Sequence, residues 1–121
     1  MIQILYVDDE PDLREVACMA LELDGDLEVR DCGSGAEALA MLETWTPDLV
    51  LLDVMMPEMD GPATFEAIRA RQSELPIVFI TARAQESDLR RLLALGANGV
   101  ISKPFDPMTL AEQVRACMTN A

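Results

Sequence analysis

Three consecutive acidic residues, Asp8, Asp9 and Glu10, follow the apolar residues 4–7 directly. Two carboxylates about 4 Å apart repel each other by roughly 4 kcal/mol at an effective dielectric constant near 20, so a positive charge must lie among such acids. Mg²⁺ suits this position because it prefers oxygen ligands and keeps several waters, so that a few carboxylates and one backbone carbonyl can hold it. The alternative is that the acids only cap the helix that follows.

Further along the chain, polar residues again stand where apolar segments end. Lys103 is the one lysine among nine basic residues, and it directly precedes a proline. An ammonium group there can pair with a carboxylate, or with an oxygen of a phosphoryl group. Asp53 and Thr81 follow two other apolar segments. A carboxylate, a hydroxyl and an ammonium group favour phosphoryl chemistry if the fold brings them together.

The elements that must position these residues are short apolar segments alternating with helical patterns. The segments are residues 2–7, 27–30, 49–52, 77–80 and 99–101, and most lack the alternation of a half-exposed strand. Five strand-then-helix units predict an α/β fold with a doubly wound parallel sheet. One helix face is predicted at Leu13, Val16, Ala17, Ala20 and Leu21, and another begins at Leu89, Leu92 and Leu93.

Several residues mark where the helices begin and end. Pro11 and Pro107 suit the first turn of a helix. Ser34 with Glu37 fits a capping box, and Gly96 stands where a helix should end. These signals place the helices between the predicted strands.

In a parallel sheet the strands all end at one edge, where doubly wound proteins bind their ligands. Asp8, Asp9, Asp53, Thr81 and Lys103 should therefore converge. A carboxylate can attack phosphorus and form an aspartyl phosphate when a metal and a cation neutralise the charge on the transferring group. Asp53 is the candidate nucleophile, because it stands alone at the predicted centre of the sheet whereas Asp8 and Asp9 are paired.

Four segments resemble the response-regulator receiver domains of two-component signalling. They are YVDDEP at 6–11, DLVLLDVMMPEMDG at 48–61, IVFITA at 77–82 and GANGVISKPF at 96–105. The resemblance covers essentially all 121 residues, so that residues 1–121 are expected to form one receiver domain. It implies a flavodoxin-like sheet of order 2-1-3-4-5 with five helices.

The resemblance also implies roles for single residues. Asp53 would be the phosphoacceptor, and Asp8 (the weaker ligand), Asp9 (the stronger) and the carbonyl of Met55 would serve the Mg²⁺ site with it. Thr81 and Lys103 would contact the phosphoryl group, and the Lys103–Pro104 peptide would be cis. Phosphorylation would draw Thr81 inward and rearrange the fourth helix and fifth strand.

Three further expectations concern residues near the expected switch. Val100 stands three residues before the lysine, where receiver domains usually carry an aromatic residue that swings inward on activation. The chain therefore lacks the aromatic residue that usually forms one half of the switch. Met55 and Arg83 would flank the path of an attacking water. Arg83, Arg90 and Arg91 form either a partner-binding basic face or a solvated helix face.

Composition limits the partners. The formal charge of -13 and the pI near 4.1 argue against direct binding to nucleic acid or anionic lipid. No segment is apolar for long enough to span a membrane, and no leader sequence is apparent, so a cytoplasmic location is expected. The sequence contains no histidine, so the phosphoryl donor would be a partner, either a sensor histidine kinase or a histidine phosphotransfer protein. The resemblance implies no enzymatic activity beyond the chain's own phosphorylation and dephosphorylation, and we expect output by protein contact.

Three alternative functions compete with this interpretation. A phosphorylation-independent adaptor would signal by binding alone, and Val100 is its best support. An Asp-nucleophile phosphatase would usually carry a second Asp two residues after the nucleophile, where this chain has Met55. A flavin-binding protein is disfavoured because acids after the first strand would repel a phosphate.

Overall fold

The computed structural model describes residues 1–82 and 85–119 of the chain. Within these residues, strands and helices alternate along the sequence. The elements are β1 (Ile2–Val7), α1 (Pro11–Glu22), β2 (Leu27–Cys32), α2 (Gly35–Leu42), β3 (Leu49–Asp53), α3 (Gly61–Arg71), β4 (Ile77–Thr81), α4 (Glu86–Ala94), β5 (Gly99–Ser102) and α5 (Leu110–Thr119). The strands are parallel and form one sheet in the order β2-β1-β3-β4-β5. The predicted fold class and strand order are confirmed.

The sheet is buried on both faces because its central strands are mostly apolar. Every residue of β3 and of β4 is buried. One apolar cluster, which includes Phe65, Phe79 and Leu92, fills the side of α2 and α3. The other, which includes Tyr6 and Val114, fills the side of α1 and α5. Burial of this apolar surface is the main force that holds the sheet and helices together.

The strands run slightly past the predicted apolar segments. β2 was expected at residues 27–30, but it continues through Asp31 to Cys32, which pair with Tyr6 and Val7 of β1. Arg30 and Asp31 are exposed, since β2 is an edge strand. Backbone pairing therefore continues where the hydrophobic pattern stops.

The helix signals are correct with one exception. α1 begins at Pro11, and the Ser34 hydroxyl accepts the N–H of Glu37 at 3.1 Å, which is one half of a capping box. The Glu37 carboxylate accepts the N–H of Gly33 at 2.6 Å. Gly96 has φ +109° just after α4, a conformation that favours glycine. The prediction that Pro107 lies in the first turn of the last helix is wrong, because α5 begins at Leu110.

The reason is a turn that precedes α5. The carbonyl of Asp106 accepts the N–H groups of Thr109 and Leu110, each at 3.0 Å. The Asp106 carboxylate also accepts the N–H of Met108 at 2.9 Å. Aspartate side chains favour such turns over a regular helical start.

The helices contact the sheet along narrower strips than the periodicity predicted. Ala17 and Leu21 of α1 and Leu92 of α4 are buried, as expected. Val16 and Leu93, which the pattern assigned to the same faces, are 44% and 48% exposed. Among the described residues, no helix is long and apolar enough to cross a membrane.

Candidate functional site

Three acidic side chains lie together where β1 and β3 end. Asp8 is fully buried, Asp53 is 4% exposed, and Asp9 is partly exposed. One carboxylate oxygen from each residue lies within 4.8 Å of the other two. The parallel register produces this arrangement, since Val7 pairs with Leu52 and the next residue of each strand is an aspartate.

The ammonium group of Lys103 joins two of these acids. Its Nζ lies 3.1 Å from Asp8 Oδ2 and 3.1 Å from Asp53 Oδ1. Burial by itself lowers the pKa of Lys103, but hydrogen bonds and charge from Asp53 and Asp8 outweigh it, so the net pKa is raised. The amine is therefore charged at neutral pH. The Lys103–Pro104 peptide bond is cis, as the resemblance implied.

The carboxylate of Asp53 is difficult to ionise in this site. Burial, followed by the charge of Asp8, raises the pKa of Asp53 from its ordinary 3.8 to about 6. Lys103 and the backbone N–H of Met55 act in the opposite direction by stabilising the charged form. The site therefore holds more negative charge than its single lysine balances.

Asp8 is further held by two residues that the sequence interpretation did not identify. The Tyr6 hydroxyl donates to Asp8 Oδ2 at 3.1 Å, and Arg14 Nη1 donates to the Asp8 carbonyl at 2.7 Å. Arg14 also pairs with Asp31 at 3.0 Å. Burial, with help from Asp8, raises the pKa of Tyr6, so its hydroxyl stays protonated and remains a donor. Tyr6 stands two residues before Asp8 on one strand face, and that spacing was the available signal.

The backbone near Asp53 is packed closely against the start of α3. Gly61 donates its N–H to the Val54 carbonyl at 2.9 Å. A Cβ at Gly61 would lie 2.5 Å from the Asp53 carbonyl oxygen and 2.7 Å from Val54 Cα. In the same loop Glu58 has φ +67°, a conformation rare for residues other than glycine. This loop thus holds the end of β3 against α3.

Thr81 and Met55 lie at the same edge as the acids. Thr81 is 2% exposed at the end of β4 and pairs in register with Ser102 of β5. The Met55 side chain is 61% exposed. The structure thus brings all the predicted site residues to one edge of the sheet, and the roles assigned to them stay predictions.

The acidic cluster fits a hard divalent cation. Its donors are carboxylate oxygens, and the partly exposed Asp9 leaves access for water, which Mg²⁺ retains when it binds to proteins. Asp8 already accepts hydrogen bonds at both oxygens, and its role as the weaker ligand stays a prediction.

The predicted arginine face of α4 is largely paired within its own helix. Arg90 forms an ion pair with Glu86, and Arg91 lies 3.7 Å from Asp88. Such exposed pairs are typical of a solvated helix face. Arg83 lies outside the described residues. Val100 is partly buried and packs against the cluster on the side of α2 and α3.

Sequence comparisons agree with this geometry. A family model described as the response regulator receiver domain matches residues 4–115. The chain is 40% identical over 116 residues to the response regulator Rre1 of Synechocystis sp.. This alignment covers 94% of this chain and 50% of that protein. It is 40% identical over 114 residues to the DNA-binding response regulator MtrA of Mycolicibacterium smegmatis, covering 94% and 49%. The chain spans about half the length of these curated relatives.

Solved structures give the same result. The chemotaxis protein CheY4 of Vibrio cholerae superposes with a TM-score of 0.89 at 31% identity, covering 97% of this chain and 98% of that one. The signal receiver domain of the NarL response regulator of Mycobacterium tuberculosis superposes with a TM-score of 0.87 at 30% identity, covering 99% and 98%.

Proposed function

This chain belongs to the response regulator receiver domain family, and on that basis we propose that Asp53 accepts the phosphoryl group by which the chain signals in a two-component system. One observation carries the proposal. The Asp53 carboxylate lies 3.1 Å from the ammonium group of Lys103, and one of its oxygens lies within 4.8 Å of oxygens of Asp8 and Asp9. A nucleophile, a cation and an acidic cation site therefore occupy one edge of the sheet.

In the proposed reaction, an Asp53 carboxylate oxygen attacks phosphorus of a phosphohistidine on the partner. A bond forms between that oxygen and phosphorus, the bond between phosphorus and the imidazole nitrogen breaks, and the imidazole leaves with the electron pair. Asp8, Asp9, Asp53 and the Met55 carbonyl would hold Mg²⁺, which would supply positive charge next to the transferring group. The raised pKa of Asp53, about 6, still leaves it largely ionised at neutral pH.

Lys103 and Thr81 then bind the phosphoryl group on Asp53. Lys103 releases Asp53 and pairs with a phosphoryl oxygen, because the phosphoryl group carries more charge than the carboxylate did. The Thr81 hydroxyl donates to another phosphoryl oxygen, and its movement alters the contacts of α4 and β5. Catalysis by this chain is limited to its own phosphorylation and dephosphorylation.

The partners follow from the same chemistry. The phosphoryl donor is a sensor histidine kinase or a histidine phosphotransfer protein, since this sequence contains no histidine. The charge of -13 favours output through protein contact by this receiver rather than direct contact with nucleic acid or membrane lipid. The three cysteines are unpaired, which supports a cytoplasmic location.

A second candidate is a receiver-fold adaptor that signals by binding alone. It is favoured by Val100, which occupies the position where an aromatic residue would move on activation. Equal affinity for a partner with and without phosphodonor would support the adaptor.

Treatment with Mg²⁺ and a small phosphodonor, followed by intact-mass and peptide mass spectrometry, tests the proposal. We expect one phosphoryl group on the wild type, located at Asp53, and none on Asp53→Asn. Asp26→Asn is the matched control, because its carboxylate is 83% exposed just before β2, at the opposite edge of the sheet. Modification of Asp53→Asn to the wild-type extent would refute Asp53 as the acceptor.

A further inference from the structure

The buried carboxylate of Asp8 is held by three donors. Its Oδ1 accepts the backbone N–H of Glu10 at 3.0 Å. Its Oδ2 accepts the Tyr6 hydroxyl at 3.1 Å and lies 3.1 Å from Lys103 Nζ. A carboxylate taken out of water stays charged only when such donors replace its lost hydration. The orientation of Asp8 therefore depends on these groups.

The two side-chain donors differ in whether they contact Asp8 alone or other acids as well. Lys103 divides its ammonium group between Asp8 and Asp53, and under the proposed function it turns toward the phosphoryl group. The hydroxyl of Tyr6 is carried by a ring that is 1% exposed and lies within the apolar cluster beside α1 and α5. Because that packing fixes the ring, the hydroxyl is the side-chain donor that stays with Asp8 throughout.

We propose that Tyr6 is a positioning residue for the cation-binding acids, an inference that rests on the proposed function. Its hydroxyl holds the Asp8 carboxylate in the orientation that brings one oxygen within 4.8 Å of oxygens of Asp9 and Asp53. Groups that hydrogen-bond to metal-binding carboxylates orient them, and losing one typically weakens metal binding by about ten- to hundred-fold. Tyr6 acts through Asp8 and does not itself contact the reacting atoms.

A purely structural role predicts something different. The Tyr6 ring fills space in the core, and phenylalanine would fill the same space without the hydroxyl. If the ring's volume were its whole contribution, Tyr6→Phe would leave cation binding unchanged. Tyr6→Phe therefore distinguishes the two roles, because it removes only the hydroxyl and keeps the ring.

Calorimetric titration of Mg²⁺ into the full chain at neutral pH tests the inference. We expect the dissociation constant of Tyr6→Phe to be about ten-fold higher than that of the wild type. Tyr6 is the one tyrosine in the sequence, so tyrosine absorbance gives a second measurement. In the wild type the tyrosine absorbance band should shift as Mg²⁺ is added. The dissociation constant fitted to this shift should equal the one found by calorimetry.

Thr64→Val is the matched control, because Thr64 is fully buried and its hydroxyl donates to the Asp60 carbonyl at 2.8 Å. This variant loses one buried hydroxyl outside the acidic cluster, and it should keep wild-type Mg²⁺ affinity. Equal weakening in both variants would overturn the inference, since general loosening of the core would then be the cause. In an Asp8→Ala background, Tyr6→Phe should have no further effect.

The outcome separates this inference from the proposed function. Unchanged affinity in Tyr6→Phe would overturn the role of Tyr6, while phosphorylation of the wild type at Asp53 would leave the proposed function in place. A wild type that binds no Mg²⁺ would overturn both.

Discussion

The Asp53 carboxylate occupies a position where its charge is unfavourable. Burial, with the charge of Asp8, raises the pKa of Asp53 from 3.8 to about 6 despite the stabilising effect of Lys103. In the metal-free chain, folding therefore favours the protonated form. Below about pH 4 this group has no effect on stability; its destabilising effect grows as pH rises from about 4 to about 6 and stays constant above that range.

Asp53→Asn should therefore stabilise the metal-free chain above pH 6. The amide has no charge to bury, and the shift sets an upper bound of about 3 kcal/mol on the gain. Urea unfolding in the presence of a chelator, repeated across the pH range, measures this difference. The gain should shrink to near zero as pH falls to about 4.

Asp26→Asn provides the comparison, because its carboxylate is 83% exposed and lies at the opposite edge of the sheet from Asp53. A gain in Asp53→Asn that is the same at every pH would argue against burial of charge as its cause. The added amide contacts would then explain the effect instead.

The sequence predicted the acids and the lysine of the site but not the groups that hold them. Asp8, Asp53 and Lys103 follow apolar segments, so parallel pairing alone brings them together. Tyr6 and Arg14 were missed because their roles depend on side-chain direction and on contacts with Asp8. A tyrosine in an apolar strand is otherwise indistinguishable from ordinary core.

At the scale of the elements, burial was easier to predict than boundaries. β3 and β4 were placed within one residue of their observed ends, because both are apolar and central. β2 ran on to Cys32 because an edge strand needs no hydrophobic residues facing solvent. α5 began late because the Asp106 turn precedes it, and this competition between turn and helix depends on the three-dimensional context.

The contact between α3 and β3 gives a prediction at this scale. Gly61→Ala should destabilise the fold by roughly 2 kcal/mol or more, since its Cβ would lie 2.5 Å from the Asp53 carbonyl oxygen. Relief of that clash must shift the end of β3, and with it Asp53. We therefore also expect slower phosphorylation, measured beside urea unfolding.

Gly25→Ala is the control for this change. Nothing lies within 4 Å of a Cβ placed at Gly25, so its stability should stay within about 0.5 kcal/mol of the wild type. Equal losses in the two alanine variants would show that helix and turn propensity, rather than the close approach to Asp53, explains the result.

For the whole molecule, the excess of acids is the dominant electrostatic property. The sequence carries 22 acidic and nine basic residues, and self-repulsion destabilises a compact state of high net charge. Monovalent salt should stabilise the chain by screening. A cation held by Asp8, Asp9 and Asp53 should stabilise it by a different route, which is binding to the folded state alone.

Mg²⁺ should therefore raise the melting temperature more than Na⁺ does at the same ionic strength. Binding at one site stabilises the folded state by about 2.7 kcal/mol at a hundred times the dissociation constant, whereas screening depends only on ionic strength. Differential scanning calorimetry at fixed ionic strength, with Na⁺ replaced stepwise by Mg²⁺, separates the two effects. Asp9→Asn should lose most of the Mg²⁺ response and keep the Na⁺ response, because one ligand is removed while the net charge changes by a single unit. The expectation would be contradicted if Na⁺ and Mg²⁺ raised the melting temperature equally at every step. The ion atmosphere, rather than a bound ion, would then reduce the repulsion among the clustered acids.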